Sequence, residues 1–283
     1  MRILVVSDVH ANWAALSAID EPFDACFCLG DLVDYGPDPA PCVRWAMNHA
    51  EYAIRGNHDH GVAQRVTVTG EAGYRFLTRA TRPSMWSALD PDERRWLARL
   101  PVTLRATVGG VRFLLVHATP RDPLDEYILR NETAWARQLE RVEADVVCVG
   151  HSHMQFQLPV GGKLVVNPGS VGLPRDGDPR AAYAIIEDGR VQLKRVEYPI
   201  EETIERVVES PWPQRAKSML EHVLRNGRLP AAPGDAAEPE TEAETDADEV
   251  PEGEESPESL DLAGDDWRPS EYSEKSSRKE RRG

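Results

Sequence analysis

"RILVVSDVH", Arg2 to His10, carries the pattern on which the fold turns. A short apolar run rich in β-branched residues stops at Ser7. It then presents two side chains with chemistry, Asp8 and His10. The same arrangement recurs along the chain. "DACFCL" stops at Gly30-Asp31, "EYAI" at Arg55-Gly56-Asn57-His58, and "VRFLLV" at His117. "DVVCV" stops at Gly150-His151-Ser152-His153, and "KLVV" at Asn167-Pro168-Gly169-Ser170. Such runs read as strands buried on both faces. Between several of them lie helical patterns, "ANWAALSAI", "PAPCVRWAMNH" and "ETAWARQLERV". Strand, helix, strand in succession implies parallel pairing in an α/β layer. "VGGV" (Val108 to Val111), "VGGK" (Val160 to Lys163) and "EDGR" (Glu187 to Arg190) read as two-residue hairpin turns. The chain is therefore expected to be α/β, a mixed parallel and antiparallel sheet system covered by helices.

Residues 60–100 break the strand rhythm and read as helical, a cap beside the site. "LDPDERRWLARL" has a helix start, with Asp90 as N-cap, Pro91 at the first helical position and Glu93 three residues after the cap. Residues 200–226 read as a terminal helical segment interrupted by "SPWPQ".

Charge divides the chain. The 283 residues carry a net charge of −15. From Leu229 onward there are 18 Asp and Glu against 6 Lys and Arg, a net of −12, so residues 1–228 carry only −3. The first part can bury a core. The second, residues 229–283, is acidic, Pro-rich and poor in large apolar residues, and is expected to be a disordered tail. It reads as a solubilising appendage or an arm for a protein partner. The four cysteines, Cys26, Cys28, Cys42 and Cys148, form neither a CxxC motif nor a disulfide framework and are expected to be buried apolar residues. There is no signal-peptide pattern and no apolar run approaching a membrane span, so the expectation is a cytoplasmic protein without membrane association. Residues 1–228 show no Lys/Arg stripe that would track nucleic-acid phosphates.

The polar clusters all follow strand ends, where loops from several elements converge in α/β sheets. Together they hold Asp8, His10, Asp31, Asp34, Asn57, His58, Asp59, His60, His117, His151 and His153; of the eight histidines, only His49 and His222 fall outside. Carboxylate, imidazole and carboxamide donors without thiolate suit Mn²⁺ first, with Fe, Zn²⁺ or Ni²⁺ as alternatives, rather than a structural zinc. Asp8-x-His10 and His151-x-His153 have period two, so in extended chain each pair can reach one centre. The ligands are too many for one tetrahedral ion and suit two divalent metal ions about 3.5–4 Å apart.

"SDVH", "GDLVDYG", "GNHD", "LLVHA" and "GHSH", in this order, resemble the motifs of the calcineurin-like metallophosphoesterase superfamily over roughly residues 1 to 200. "GDLVDYGP", "HATP" and "NPGSVG" are closer to its small prokaryotic phosphodiesterase-type branch. The resemblance implies two mixed β-sheets packed as a sandwich and flanked by helices. It implies that Asp8, His10 and His153 bind a first ion, that Asp31 bridges, and that Asn57, His117 and His151 bind a second. His58 then faces the scissile phosphate without binding metal, and Asp34 orients it. The implied activity is hydrolysis of a small phosphodiester or phosphomonoester by a hydroxide activated between the ions. The alternatives are a protein serine/threonine phosphatase and a non-catalytic protein-binding scaffold on the same fold. Two departures stand out. Ala118 replaces the usual Gly after the lone histidine. Tyr35 and Gly36 stand where phosphoprotein phosphatases carry a phosphate-holding Arg after "GDxxD", which weakens that alternative. Among flanking residues, Asn12 is open between a helix N-cap and a phosphate contact, and Arg55 between a surface ion pair and a substrate contact. Asp59 is expected to serve its own turn, and Asn167 to shape another.

Overall fold

The computed structural model describes residues 1–230, so the expectation of a disordered tail over residues 229–283 falls almost wholly outside the described residues. Among the described residues there are ten strands: β1 (Arg2–Val6), β2 (Ala25–Cys28), β3 (Tyr52–Ala53), β4 (Thr103–Val108), β5 (Val111–Val116), β6 (Val146–Cys148), β7 (Gln155–Val160), β8 (Lys163–Pro168), β9 (Ala181–Glu187) and β10 (Arg190–Val196). The helices are α1 (Trp13–Ser17), α2 (Pro39–His49), α3 (Asn57–Ala63), α4 (Gly73–Ala88), α5 (Pro91–Arg99), α6 (Glu132–Leu139), α7 (Ile200–Glu209) and α8 (Gln214–Asn226).

The strands form two five-stranded sheets, in the orders β10-β9-β1-β2-β3 and β4-β5-β6-β8-β7. Both are mixed. β1, β2 and β3 run parallel, as do β5, β6 and β8, while β9, β10, β4 and β7 pair antiparallel. Three of the four parallel pairs, β1–β2, β2–β3 and β5–β6, are joined through α1, α2 and α6, whereas β6 reaches β8 through β7. Three of the four antiparallel pairs, β4–β5, β7–β8 and β9–β10, close through the three expected turns, and the fourth joins β1 to β9 across the chain. At "EDGR", both central residues have positive φ, Asp188 at 51° and Gly189 at 76°, the twist a two-residue hairpin demands.

The apolar runs are continuous because both faces of each sheet are covered. In β1, Ile3 and Val5 point between the sheets, where they meet Phe27, Ile54, Phe113, Leu115, Val146, Cys148 and Val166. Leu4 and Val6 point the other way, into a cluster with Cys42 and Val43 of α2, Leu77 and Met85 of α4, Val207 of α7 and Leu220 of α8. The outer face of the second sheet, through Leu114, Val147 and Val165, is covered by Trp135 and Leu139 of α6. Phe27 and Phe113 join the two sheets edge to face, with centroids 5.1 Å apart. The four cysteines are free and buried in this framework. Helix α1 is shorter than "ANWAALSAI" suggested. It ends at Ser17, with Ala18 as its C-cap. Residues 57–99 form three helices, and Asp90 caps α5 through the amides of Asp92 and Glu93 while Glu93 returns a bond to the Asp90 amide. Among the described residues no helix is long and apolar enough to cross a membrane.

Candidate metal centre

Asp8 and His10 follow β1, Asp31 and Asp34 follow β2, Asn57 and His58 follow β3, His117 follows β5, and His151 and His153 follow β6. All leave the carboxyl ends of parallel strands, so the two sheets aim their loops at one place. Glycine lets those loops close up. A Cβ on Gly56 would lie 2.1 Å from Asp31 Oδ1, and one on Gly150 would lie 2.0 Å from Ser7 Oγ. Asp59 ties the same loops together. Its carboxylate accepts the amides of Asp31 (2.8 Å), Leu32 (2.9 Å) and Gly56 (3.1 Å), so it serves the Asp31 loop as well as its own turn. Burial and the neighbouring Asp31 push this carboxyl up to about 7. Asn167 holds the β6 loop by donating to Gly150 O and Ser152 Oγ, and accepts from the Gly169 amide.

The ligand candidates gather as two triads. Asp8, His10 and His153 form one, and Asp31, His117 and His151 the other. Each draws on both sheets. The period-two expectation is corrected here: His151 and His153 divide between the triads. The backbone is not extended at these positions. Asp8, His10, Asp31, Asp34, His151 and His153 all have positive φ, between 47° and 66°. Left-handed backbone at non-glycine residues costs energy and gathers at functional sites. Asp31 Oδ2 faces both triads, 3.1 Å from His117 Nε2 and 3.9 Å from His10 Nε2. Its Oδ1 accepts the His58 amide at 2.8 Å.

The imidazoles are set for a cation. Nδ1 of His10, His117 and His153 donates to the carbonyls of Val33 (2.9 Å), Leu29 (2.7 Å) and Leu173 (2.5 Å). A carbonyl only accepts, so Nδ1 carries a proton and Nε2 is the nitrogen turned inward; at His10 and His153 it presents a lone pair, and at His117 it does so once a cation takes the place of the proton it shares with Asp31. His10 Nε2 and His153 Nε2 face one another at 3.1 Å. Burial holds both rings well below the usual histidine value, so two neutral lone pairs confront each other unless a cation lies with them. Asp8 Oδ1, Asp31 Oδ2, Asn57 Oδ1 and His117 Nε2 are buried without a hydrogen-bond partner. An orphaned buried polar group costs about 1–3 kcal/mol, so four of them converging is the mark of a ligand site. The donor set therefore fits divalent cations. Electrostatics agree. Burial pushes Asp8 up to about 6. Burial also acts to raise Asp31, but His117, His58 and His10 outweigh it and hold Asp31 well below the carboxylate range. Although burial opposes it, His117 is pushed up to about 10 by Asp31 and Asp8, whereas burial and His117 bring His151 down to about 3.

Beside the triads runs a second network. Asp34 Oδ2 lies 2.7 Å from His58 Nδ1, and His58 Nε2 lies 3.3 Å from the Tyr35 hydroxyl. Thr78 of α4 donates to that hydroxyl at 3.0 Å, and Arg82 of α4 donates to Asp34 Oδ2 from Nε (2.9 Å) and from the terminal nitrogen (2.5 Å). Thr78 and Arg82 escaped the sequence reading. They are four apart on one helix face, but nothing in "TRATRP" says that the face turns toward "GDLVDYG". Two flanking residues, each open between two readings, make the following contacts. Asn12, considered as a phosphate contact, caps α1 through the Ala15 amide, donates to Gly172 O and the Tyr198 hydroxyl, and accepts from Thr203. Arg55, considered as a substrate contact, donates to Ala98 O at 3.0 Å.

Comparison with known proteins agrees with this geometry. The model of the calcineurin-like phosphoesterase superfamily domain matches residues 1–189. An uncharacterized protein of Methanocaldococcus jannaschii is 29% identical over 237 residues, covering 75% of this chain and 94% of its own. The crystal structure of a metallophosphoesterase from Sphaerobacter thermophilus has a TM-score of 0.65 at 33% identity, covering 78% of this chain and 98% of its own. A hypothetical protein from Pyrococcus horikoshii shares the fold, with a TM-score of 0.69 at 20% identity, over 81% of this chain and 99% of its own. With that match across two thirds of its length, the chain belongs to the calcineurin-like phosphoesterase superfamily.

Proposed function

We propose that the protein hydrolyses a small phosphoester, a diester or a monoester, at a centre of two divalent cations, with Mn²⁺ the first choice. The observation that carries this reading is the pair of triads facing one carboxylate, Asp31, with His58 beside them on its own support. Asp8, His10 and His153 would hold one cation, and Asn57, His117 and His151 the other, with Asp31 between. Cations in these positions supply Lewis acidity that polarises phosphoryl oxygens and makes hydroxide available near neutral pH.

The chain's own residues do the rest. The buried ligands exclude bulk water and strengthen every charge interaction within. His58 lies outside both triads, and Asp34 holds its Nδ1, which leaves Nε2 to meet substrate and protonate the leaving oxygen. Arg82 donates to the same Asp34 oxygen and so fixes the carboxylate that orients the imidazole. The complete ligand set supports an enzyme over a scaffold. The test is hydrolysis of an aryl phosphomonoester and an aryl phosphodiester by protein stripped with chelator and reloaded with Mn²⁺. Turnover of at least one, lost on stripping and regained on reloading, is expected. Protein that holds stoichiometric metal and cleaves neither would sink the reading.

A further inference from the structure

After β8 the chain returns to the site through "GSVGLPRDGD", residues 169–178. Leu173 accepts the Nδ1 proton of His153. Two residues on, Arg175 stacks its guanidinium on the Tyr74 ring, with Cζ 3.7 Å from the centroid. Tyr74 lies 6.1 Å from Tyr35, and Tyr35 contacts both His10 (4.6 Å) and His58 (4.9 Å). Arg175 thus belongs to the aromatic wall beside the triads. Its charge reaches both of them, favouring the anion at Asp8 and the neutral ring at His10, His151 and His153. Among the described residues Arg175 has no carboxylate partner, and its Nε is buried without a hydrogen bond.

Of the neighbouring guanidiniums, Arg82 is paired with Asp34, and Arg55 donates to Ala98 O. The loop that carries Arg175 is firmly anchored. Asp176 pairs with Arg195, Arg195 donates to Asp178 O at 3.1 Å, Arg180 grips Asp178, and the Gly177 amide donates to Gly227 O at 3.1 Å. An unpaired arginine held by a stacked ring and a pinned loop is positioned for an anion that arrives from outside. Its planar fork matches two phosphate oxygens.

We propose that Arg175 binds a non-bridging oxygen of the substrate's phosphoryl group, held in place by stacking on Tyr74. This rests on the phosphoesterase reading and names the group that recognises the phosphate where Tyr35 follows Asp34. The test uses full-length, Mn²⁺-loaded protein with inorganic phosphate as the probe, measured by calorimetry and as a competitive inhibitor. Arg175→Ala is expected to weaken phosphate binding about tenfold or more, with bound metal and Tm unchanged. Arg175→Lys should fall between the two, because it keeps the charge and loses the fork, and added guanidinium ion should partly rescue Arg175→Ala. Phosphate affinity within twofold of wild type in Arg175→Ala overturns the inference and leaves the phosphoesterase reading standing. Loss of metal together with phosphate also overturns it, since Arg175 would then serve the ligands. Metal-loaded wild type that neither binds phosphate nor cleaves either aryl ester removes the reading and the inference together.

Discussion

Among single residues, Asp31 touches most of the site. One oxygen accepts the His58 amide and the other faces both triads, and three histidines hold the group ionised despite burial. Asp31→Asn keeps the shape and removes the charge, so metal and activity should be lost together; elemental analysis of purified protein reads the first and ester hydrolysis the second. His58 makes the opposite prediction. It lies outside both triads, and its ring is held by Asp34 rather than by a ligand. His58→Ala should retain metal and lose about 10²-fold or more in turnover, the usual share of a general acid. Loss of metal from His58→Ala would show that the side chain supports the triads instead.

At the scale of the element, the loops matter more than the strands. A strand only has to end, whereas the loop must bend into left-handed backbone to turn Asp8 and His10, or His151 and His153, into the two triads. The loop after Arg175 gives a pH test. The bonds from Arg180, then those from its backbone and from Arg195, hold the Asp178 carboxyl at about 2, below its ordinary 3.8. A depressed carboxylate stabilises the fold above its ordinary value, and this contribution is lost as pH falls from about 4 through about 2. The pair is well exposed, so screening limits it to about 0.2–1 kcal/mol. Asp178→Asn should therefore lower the urea midpoint slightly at about pH 5 and converge with wild type near pH 2. Parallel curves across that range would mean that Asp178 contributes nothing through its charge.

At the scale of the whole molecule, each triad joins the two sheets. Asp8, His10 and Asp31 come from the first, and His117, His151 and His153 from the second. A cation bound there links the halves of the sandwich, and a ligand at about 100 times its Kd adds about 2.7 kcal/mol. Chelation should lower Tm by about 5 °C or more, recovered on adding Mn²⁺, while Asp31→Asn should show no response to chelator. An unchanged Tm on chelation of metal-loaded protein would count against a cation joining the sheets. Much of this was legible in the chain. Continuous apolar runs such as "ILVV" announce strands covered on both faces, the hairpin turns declare themselves by glycine, and the residues at strand ends name the donors. These are local properties, carried by residue type and spacing within a few positions. The partition of His151 and His153 between triads came from the resemblance and not from their period-two spacing, and the arrival of Arg82 and Arg175 beside the site was not legible at all. Both arginines depend on contacts between residues far apart in the chain, Arg82 with Asp34 and Arg175 with Tyr74. The sequence by itself determined which side chains could hold a cation, because donor chemistry belongs to the residue. The placing of Arg82 and Arg175 beside the triads needed the fold itself, because it depends on how the two sheets, α4 and the loop after β8 close on one another.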